Sequence, residues 1–560
     1  MIPIKEYTLT SFVEESAKQY KRLTALRTWR VKGSEITYPE LLSRSLSIAH
    51  FLVENGVEKH DPVAILGESC PNWTLSYFGI NRAGAIAVPI LPDFSAFDVQ
   101  RILTHSEAKF VVVNEKHADK VRACNIKVIR MEDLFYIPEY ETIAEDDKTK
   151  FTDFGGIDIK GRVLSEVERA ELDLRRPKED DLASLIYTSG TTGTPKAVML
   201  TNKNICWNAY VCSFPFIKIH SGWNALSILP LSHVYEFTIG MLLLIINGIQ
   251  ITYLGKAPSP DSLMPAMKEV QPEVILSVPL LIEKVYRRAL APKFKEGTKL
   301  AKLVKHKLIA PFVYSIVGGK VRRTFGGRIK FFGVGGAAFD PEAEAFFHKI
   351  HFPYALGYGL TETSPFVAGC GPKDQVVGTV GKPLDGVDVK IDPENSEILV
   401  KGPSVMRGYY KNDELTAEVF TDDGYFRTGD IGVLNESGRL TIKGRCKTMI
   451  LGPSGENIYP ESIEFLIDAE DDVVESLVVA DQGGLTAMVR LDVRSLKRKG
   501  IVAIGEMQDY LEKIKKAVNE KLSSFSRIKN VVVQEEPFER TPSNKIKRFL
   551  YQKKTKEKII

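Results

Sequence analysis

Thr188-Ser189-Gly190-Thr191-Thr192-Gly193-Thr194-Pro195-Lys196 follows the apolar, strand-like run Ser184–Tyr187 and packs hydroxyls, two glycines and a cation into one turn. The glycines let the backbone approach a ligand closely, and the hydroxyls and backbone N–H groups can donate to phosphate oxygens. Lys196 adds a positive charge. The chemistry is that of a triphosphate cradle. It is not the GxxxxGK[ST] loop, which needs Gly-Lys together where this chain has Pro195 before Lys196, so a conventional P-loop ATPase is excluded.

Six further motifs follow in order: Pro230-Leu231-Ser232-His233-Val234-Tyr235-Glu236, Gly335-Gly336-Ala337, Gly357-Tyr358-Gly359-Leu360-Thr361-Glu362-Thr363, Thr428-Gly429-Asp430, Gly444-Arg445 and Thr541-Pro542-Ser543-Asn544-Lys545-Ile546. With the loop, they span nearly the whole chain. The set resembles that of adenylate-forming enzymes, which include acyl-CoA synthetases, adenylation domains of peptide synthetases and luciferases. Two positions depart from the family pattern, Ala197 and Asn544, where glycine is usual; neither change removes a charge.

The resemblance implies ATP, Mg2+ and coenzyme A as the small molecules used, and it distributes roles over the motifs. Lys545 reaches the reacting carboxylate and the α-phosphate, supplying positive charge where two anions meet. At an effective dielectric near 20, a contact of about 4 Å is on the order of 4 kcal/mol. Glu362 holds magnesium with Thr188 as second ligand, which suits an ion that takes few protein oxygens plus phosphate. Ser189, Gly190, Thr191, Thr192, Gly193, Thr194 and Lys196 cradle phosphate. Gly335, Gly336 and Ala337 approach the purine, Tyr358 lies against adenine between Gly357 and Gly359 with Thr361 beyond, and Asp430 takes the ribose hydroxyls with Arg445 nearby. His233 lines the junction of acyl and nucleotide sites, positional because the attacking carboxylate is already ionised near neutral pH. Phe237 resembles an aromatic acyl gate, and Lys447 stands where the family places a hinge between two half-reactions.

The elements that must position these residues read as α/β. From Asp61 to about Ala368, short β-rich runs alternate with amphipathic helices, as in Val63–Leu66 before Trp73–Gly84, which implies parallel sheets covered by helices. Ligands then bind at the carboxyl ends of the strands. Short runs such as Val387–Ile391, Glu397–Pro403 and Arg439–Arg445 read as an antiparallel, β-rich subdomain. The expected division is a large N-terminal adenylation domain, 1–446, and a small mobile α+β domain, 447–560, carrying Lys545, with a long charged helix around 505–522.

With 75 basic against 71 acidic residues, a net charge of +4, the chain shows no wholesale affinity for nucleic acid. Its six cysteines form no CxxC pair, so neither a zinc knuckle nor a disulfide framework is expected. The start lacks a signal-peptide pattern, and the most apolar run, Ile239–Ile246, is far shorter than the roughly 20 residues that cross a bilayer. A cytoplasmic enzyme is expected. The Pro-Leu-Ser-His-Val-Tyr-Glu motif is most similar to that of bacterial long-chain fatty acyl-CoA synthetases, implying a fatty acid substrate and coenzyme A as acceptor. An acyl carrier protein is the alternative acceptor, and a non-catalytic lipid-binding protein is the alternative of another class. A basic insert at about 291–325 places Leu300, Leu303, Val304 and Leu308 on one helical face among lysines, the pattern of a helix lying on the inner, anionic face of a membrane.

Overall fold

The computed structural model describes residues 1–122, 124–144, 148–188, 196–214, 216–451, 456–481, 484–541 and 545–552. Two nine-stranded sheets form the body. In the first, Ile86–Ile90, Pro62–Leu66, Phe110–Val113 and Lys127–Arg130 lie parallel, and Leu182–Thr188 joins them beside Ile86–Ile90. Antiparallel strands finish its edges, Lys196–Thr201 and Gly408–Tyr409 on one side, Phe135–Ile137 and Ile157–Asp158 on the other. The second sheet runs parallel from Tyr354–Gly359 through Phe331–Val334, Val274–Ser277, Asn224–Ser227 and Gln250–Tyr253 to Thr24–Thr28. Central strands such as Phe110–Val113 are buried throughout, which is why they read as continuous apolar runs.

Helix Pro71–Arg82 touches strands of both sheets and is buried along nearly its whole length. A helix enclosed on every side needs apolar residues all round, and Trp73, Leu75, Tyr77, Phe78 and Ile80 supply them. Its one cation, Arg82, donates from its two terminal nitrogens to the Leu172 carbonyl at 2.7 Å and to the Asp173 carboxylate. The apolar run read at Ile239–Ile246 is likewise core: it lies in a π-helix, Glu236–Leu242, continued as an α-helix, Leu243–Ile246. Among the described residues no helix is long and apolar enough to cross a membrane.

A four-stranded antiparallel sheet follows, made of Asp388–Ile391, Glu397–Lys401, Phe426–Leu434 and Leu440–Arg445. Beyond Arg445 a three-stranded sheet, Val473–Asp481, Gly484–Leu491 and Ile528–Val533, packs with helices Pro460–Asp468 and Ile504–Lys521 around a core of its own. The basic insert differs from its sequence reading. It forms three helices, Ala291–Phe294, Lys299–Val304 and Ala310–Thr324, with a turn between the last two, because Pro311 starts the last helix afresh. Leu300 and Val304 are half-buried, while Leu308 on the turn is 96% exposed, so the four leucine and valine positions do not share one face.

Candidate active site

The motif residues converge where strands of both sheets end. Lys196 starts its strand directly opposite Thr188, the last residue of Leu182–Thr188, so the two ends of the predicted phosphate loop are pinned by sheet pairing. Ser189, Gly190, Thr191, Thr192, Gly193 and Thr194 lie outside the described residues. The Lys196 ammonium sits 5.3 Å over the Tyr409 ring. Burial, and then Lys447, lower its pKa, while Glu362 opposes them.

Glu362 occupies a short 3-10 turn, Thr361–Thr363. Tyr409 donates to its Oε1 at 3.0 Å, and the Glu362 carbonyl accepts from Met406 N at 2.8 Å. Among the described residues its second oxygen meets no donor. A carboxylate held by one oxygen, with the other free and near enough to Lys196 to feel its charge, suits a hard divalent cation that shares phosphate oxygens. Tyr409 has no place among the sequence motifs; only the antiparallel edge strand Gly408–Tyr409, paired with Val198 and Met199, brings it here.

Tyr358, on strand Tyr354–Gly359, donates to Asp430 Oδ2 at 2.9 Å, and Arg445 Nε lies 3.2 Å from Asp430 Oδ1. Asp430 and Arg445 are direct partners across Phe426–Leu434 and Leu440–Arg445, so sheet register sets their pairing. Burial raises the Asp430 pKa, opposed by Arg445, Tyr358 and Lys545. The glycines have distinct reasons. A Cβ at Gly357 would fall 2.2 Å from the Phe366 ring, and one at Gly359 would fall 1.8 Å from the Pro365 carbonyl oxygen. Gly336, at φ +86°, faces open space, as does exposed Ala337, and Gly335 donates to the Ser277 carbonyl at 3.2 Å.

Lys545 is close enough to Asp430, Glu362, Arg445 and His233 to alter or feel their charges. Thr541 holds its backbone: Thr541 N donates to the Lys545 carbonyl at 2.7 Å, and Lys545 N donates to Thr541 Oγ1 at 3.2 Å. Desolvation first, then Arg445, lower its pKa, although the residue keeps solvent-exposed surface. His233 is partly buried, and desolvation and then Lys545 lower its pKa to about 4, so its imidazole is neutral at physiological pH. Lys447 is exposed, just after the strand that ends at Arg445.

An apolar cavity of about 580 Å³, its open mouth included, adjoins this set. Tyr235, Gly333 and Gly357 line it together with Ile239, Leu243, Leu244, Leu276, Ala355 and Phe366. Its walls are shared with the nucleotide motifs, since Gly357 precedes Tyr358 and Tyr235 follows His233. Phe237 is not among the lining residues. The π-helix sets it among buried aromatics, 2% exposed, with its ring 4.3 Å from Tyr77. Its neighbour Glu236 is fully enclosed: Ser227 donates to Oε1 at 2.5 Å, Oε2 meets no donor among the described residues, and desolvation lifts the pKa to about 8. Within the sequence this glutamate is only the end of a motif; its burial follows from the π-helix. A separate cluster of His50, Glu54 and Glu168 has both carboxylates paired with Arg162, which offsets half of their charge.

The model of the AMP-binding enzyme family matches residues 13–410. The long-chain-fatty-acid–CoA ligase FadD15 of Mycobacterium tuberculosis is 30% identical over 92% of this chain and 90% of its own. The Bacillus subtilis long-chain-fatty-acid–CoA ligase is 28% identical over 86% and 83%. Among solved structures, ATP-bound MatB from Rhodopseudomonas palustris superposes with a TM-score of 0.74 at 23% identity, covering 98% of this chain and 99% of its own. The Mycobacterium tuberculosis fatty acyl CoA synthetase superposes with 0.64 at 21% identity, covering 98% of each. Ordered motifs, two-sheet fold and family match agree, and the chain belongs to the AMP-binding enzyme family.

Proposed function

We propose that this protein joins a long-chain fatty acid to ATP as an acyl-adenylate, releasing pyrophosphate, and then passes the acyl group to coenzyme A. The observation that carries the reading is the convergence of Lys545, Glu362, Asp430 and Lys196 beside the apolar cavity that shares Gly357 and Tyr235 with the nucleotide motifs. The relatives named as long-chain-fatty-acid–CoA ligases favour the same acid class.

In this reading the fatty chain lies in the cavity and its ionised carboxylate emerges near neutral His233, which positions it without removing a proton. Asp430, aimed by Tyr358 and Arg445, takes the ribose hydroxyls. Lys196 and the loop after Thr188 hold the terminal phosphates. Magnesium, held by Glu362 with Thr188, would neutralise charge on the phosphates. Lys545 stabilises the charge that builds as the carboxylate oxygen bonds to the α-phosphorus and the bond to pyrophosphate breaks. The 447–560 unit then turns about Lys447 to admit the thiol.

The proposal extends to a cytoplasmic enzyme that touches the inner face of the membrane through its basic insert. Leu308, Ile309, Phe312 and Ile316 are exposed on and after the turn between the last two insert helices, with Lys299, Lys302, Lys305 and Lys307 beside them. Apolar tips ringed by lysine suit an anionic lipid surface. Sedimentation with phosphatidylglycerol vesicles is expected for the parent chain and lost in Leu308→Asp/Phe312→Asp; equal sedimentation of both refutes this contact.

The test of the reaction is pyrophosphate release from ATP and magnesium over acetate, benzoate, octanoate, palmitate and oleate, with and without coenzyme A. Turnover on palmitate and oleate that depends on coenzyme A is expected. Adenylation that coenzyme A does not discharge would replace it with a carrier-protein thiol as acceptor, and silence on every acid would overturn the reading in favour of a lipid-binding protein.

A further inference from the structure

The chain between strand Val274–Ser277 and the basic insert makes a contact that no motif announces. Helix Pro279–Val285 passes into a π-turn, Tyr286–Leu290, and that turn carries Arg287. One arm of its guanidinium pairs with Asp340 at 2.9 Å. Asp340 is 2% exposed and caps helix Pro341–Lys349, accepting from Glu342 N at 2.8 Å and Ala343 N at 3.0 Å, so this end of the bridge is fixed to the body.

The other arm donates to the carbonyl of Asp468, the last residue of helix Pro460–Asp468 in the three-stranded unit. Carbonyls at a helix end have no partner within the helix and carry the negative pole of its dipole, so a guanidinium is well matched there. A second contact lies close by, Lys295 to Asp471 at 2.7 Å. Both of its side chains are more than half exposed, so it contributes little alone. Arg287, two-thirds shielded and making charge-assisted bonds to both parts, contributes more.

The unit these contacts hold is the one that carries Lys545, and they exist in the arrangement that brings Lys545 to Asp430 and Glu362. Within the site the charged ammonium is drawn by Asp430 and Glu362 and opposed by desolvation and Arg445, so the site's own pull on the unit is divided. The Arg287 and Lys295 contacts add a hold on the unit outside the site. We propose that Arg287, assisted by Lys295, is a positioning residue that latches the three-stranded unit in the adenylate-forming orientation, and that its release precedes acyl transfer.

This inference rests on the two-step reading above, and its test separates the two. Arg287→Ala should slow acid-dependent pyrophosphate release about tenfold while leaving, or raising, acyl transfer from a supplied acyl-adenylate to coenzyme A. Arg287→Lys, which keeps the charge but not the two-armed reach, should fall between. Equal loss in both half-reactions would mean a merely structural residue and overturn the latch. A second variant avoids any folding cost: Lys295→Cys/Asp471→Cys, joined by a short cleavable thiol crosslinker, should keep adenylation and lose acyl transfer until the linker is cut. Acyl transfer undiminished by the closed linker, against the parent chain treated alike, would overturn the latch. Spin-label distances between body and unit give a readout independent of turnover. Widening in Arg287→Ala supports the latch even if the chain proves silent on every acid, and an unchanged distribution refutes it even if the chain is an active ligase.

Discussion

Replacing Glu236 with glutamine tests the electrostatics of the core behind the π-helix. The carboxyl is enclosed, with one hydrogen bond from Ser227 at 2.5 Å, and burial lifts its pKa from 4.5 to about 8. The folded protein therefore keeps the proton through neutral pH, while the unfolded chain releases it near 4.5. Stability from this group is complete below the unfolded pKa and is lost as pH rises towards the folded one, because over that window only the unfolded state sheds the proton. At about 1.4 kcal/mol per unit, going from about pH 5.5 to about pH 7.5 costs the parent chain about 2–3 kcal/mol through Glu236 alone. Glutamine has the shape of the neutral acid and no proton to lose, so Glu236→Gln should become more stable relative to the parent by that amount over the same interval. Urea unfolding midpoints of both chains, followed by tryptophan fluorescence at the two pH values, supply the comparison. Parallel pH dependence would refute the reasoning, since it would mean that the folded protein holds Glu236 as an anion.

Lys545→Ala should slow adenylation by at least about 10²-fold, the scale for one preorganised charge donor, while sparing thiol transfer from a supplied acyl-adenylate; equal loss of both steps would sink the account of a moving lysine. Tyr358→Phe removes the 2.9 Å bond to Asp430, and losing about 1 kcal/mol of aim should raise KM for ATP about fivefold with kcat within about twofold, read from initial rates. Ala355→Leu fills part of the cavity wall, so kcat/KM for palmitate should fall about tenfold or more while that for octanoate holds; equal falls would place the acyl chain elsewhere.

Much of this architecture is legible in the residue order. Buried parallel strands need unbroken apolar runs and helices between them, so Val63–Leu66 and Val274–Ser277 stand out, and the long charged helix read at 505–522 is found at Ile504–Lys521. The chemical groups show in the sequence because short glycine-rich motifs leave little freedom, as Gly357 and Gly359 illustrate. What does not show is what only distance in space creates. Tyr409 reaches Glu362 from 47 positions away through an edge strand. Arg287 meets Asp468 across 181 positions. Phe237 and Glu236 depend on a π-helix, whose extra residue per turn rotates each side chain off the face that α-helical spacing assigns it. The basic insert misleads for a simpler reason, since Pro311 divides what lysine and leucine spacing joins.

The place of Thr24–Thr28 has a consequence for how the protein is made. This strand pairs with Gln250–Tyr253, and Arg27 donates to Thr252 across 225 positions. At roughly 5–20 residues per second, a ribosome needs on the order of 10–45 s to supply the partner after the first strand emerges. During that interval the strand has only its antiparallel neighbour Ile36–Thr37 on one edge, although the first sheet's parallel strands between Pro62 and Arg130 are already available to assemble. The nascent chain must hold Ala25 and Leu26, fully buried at the end, in some provisional shelter until the rest of the second sheet arrives. Translation speed through residues 130–250 should therefore govern how much chain escapes aggregation, and the first thirty residues are where a chaperone would gain most by binding.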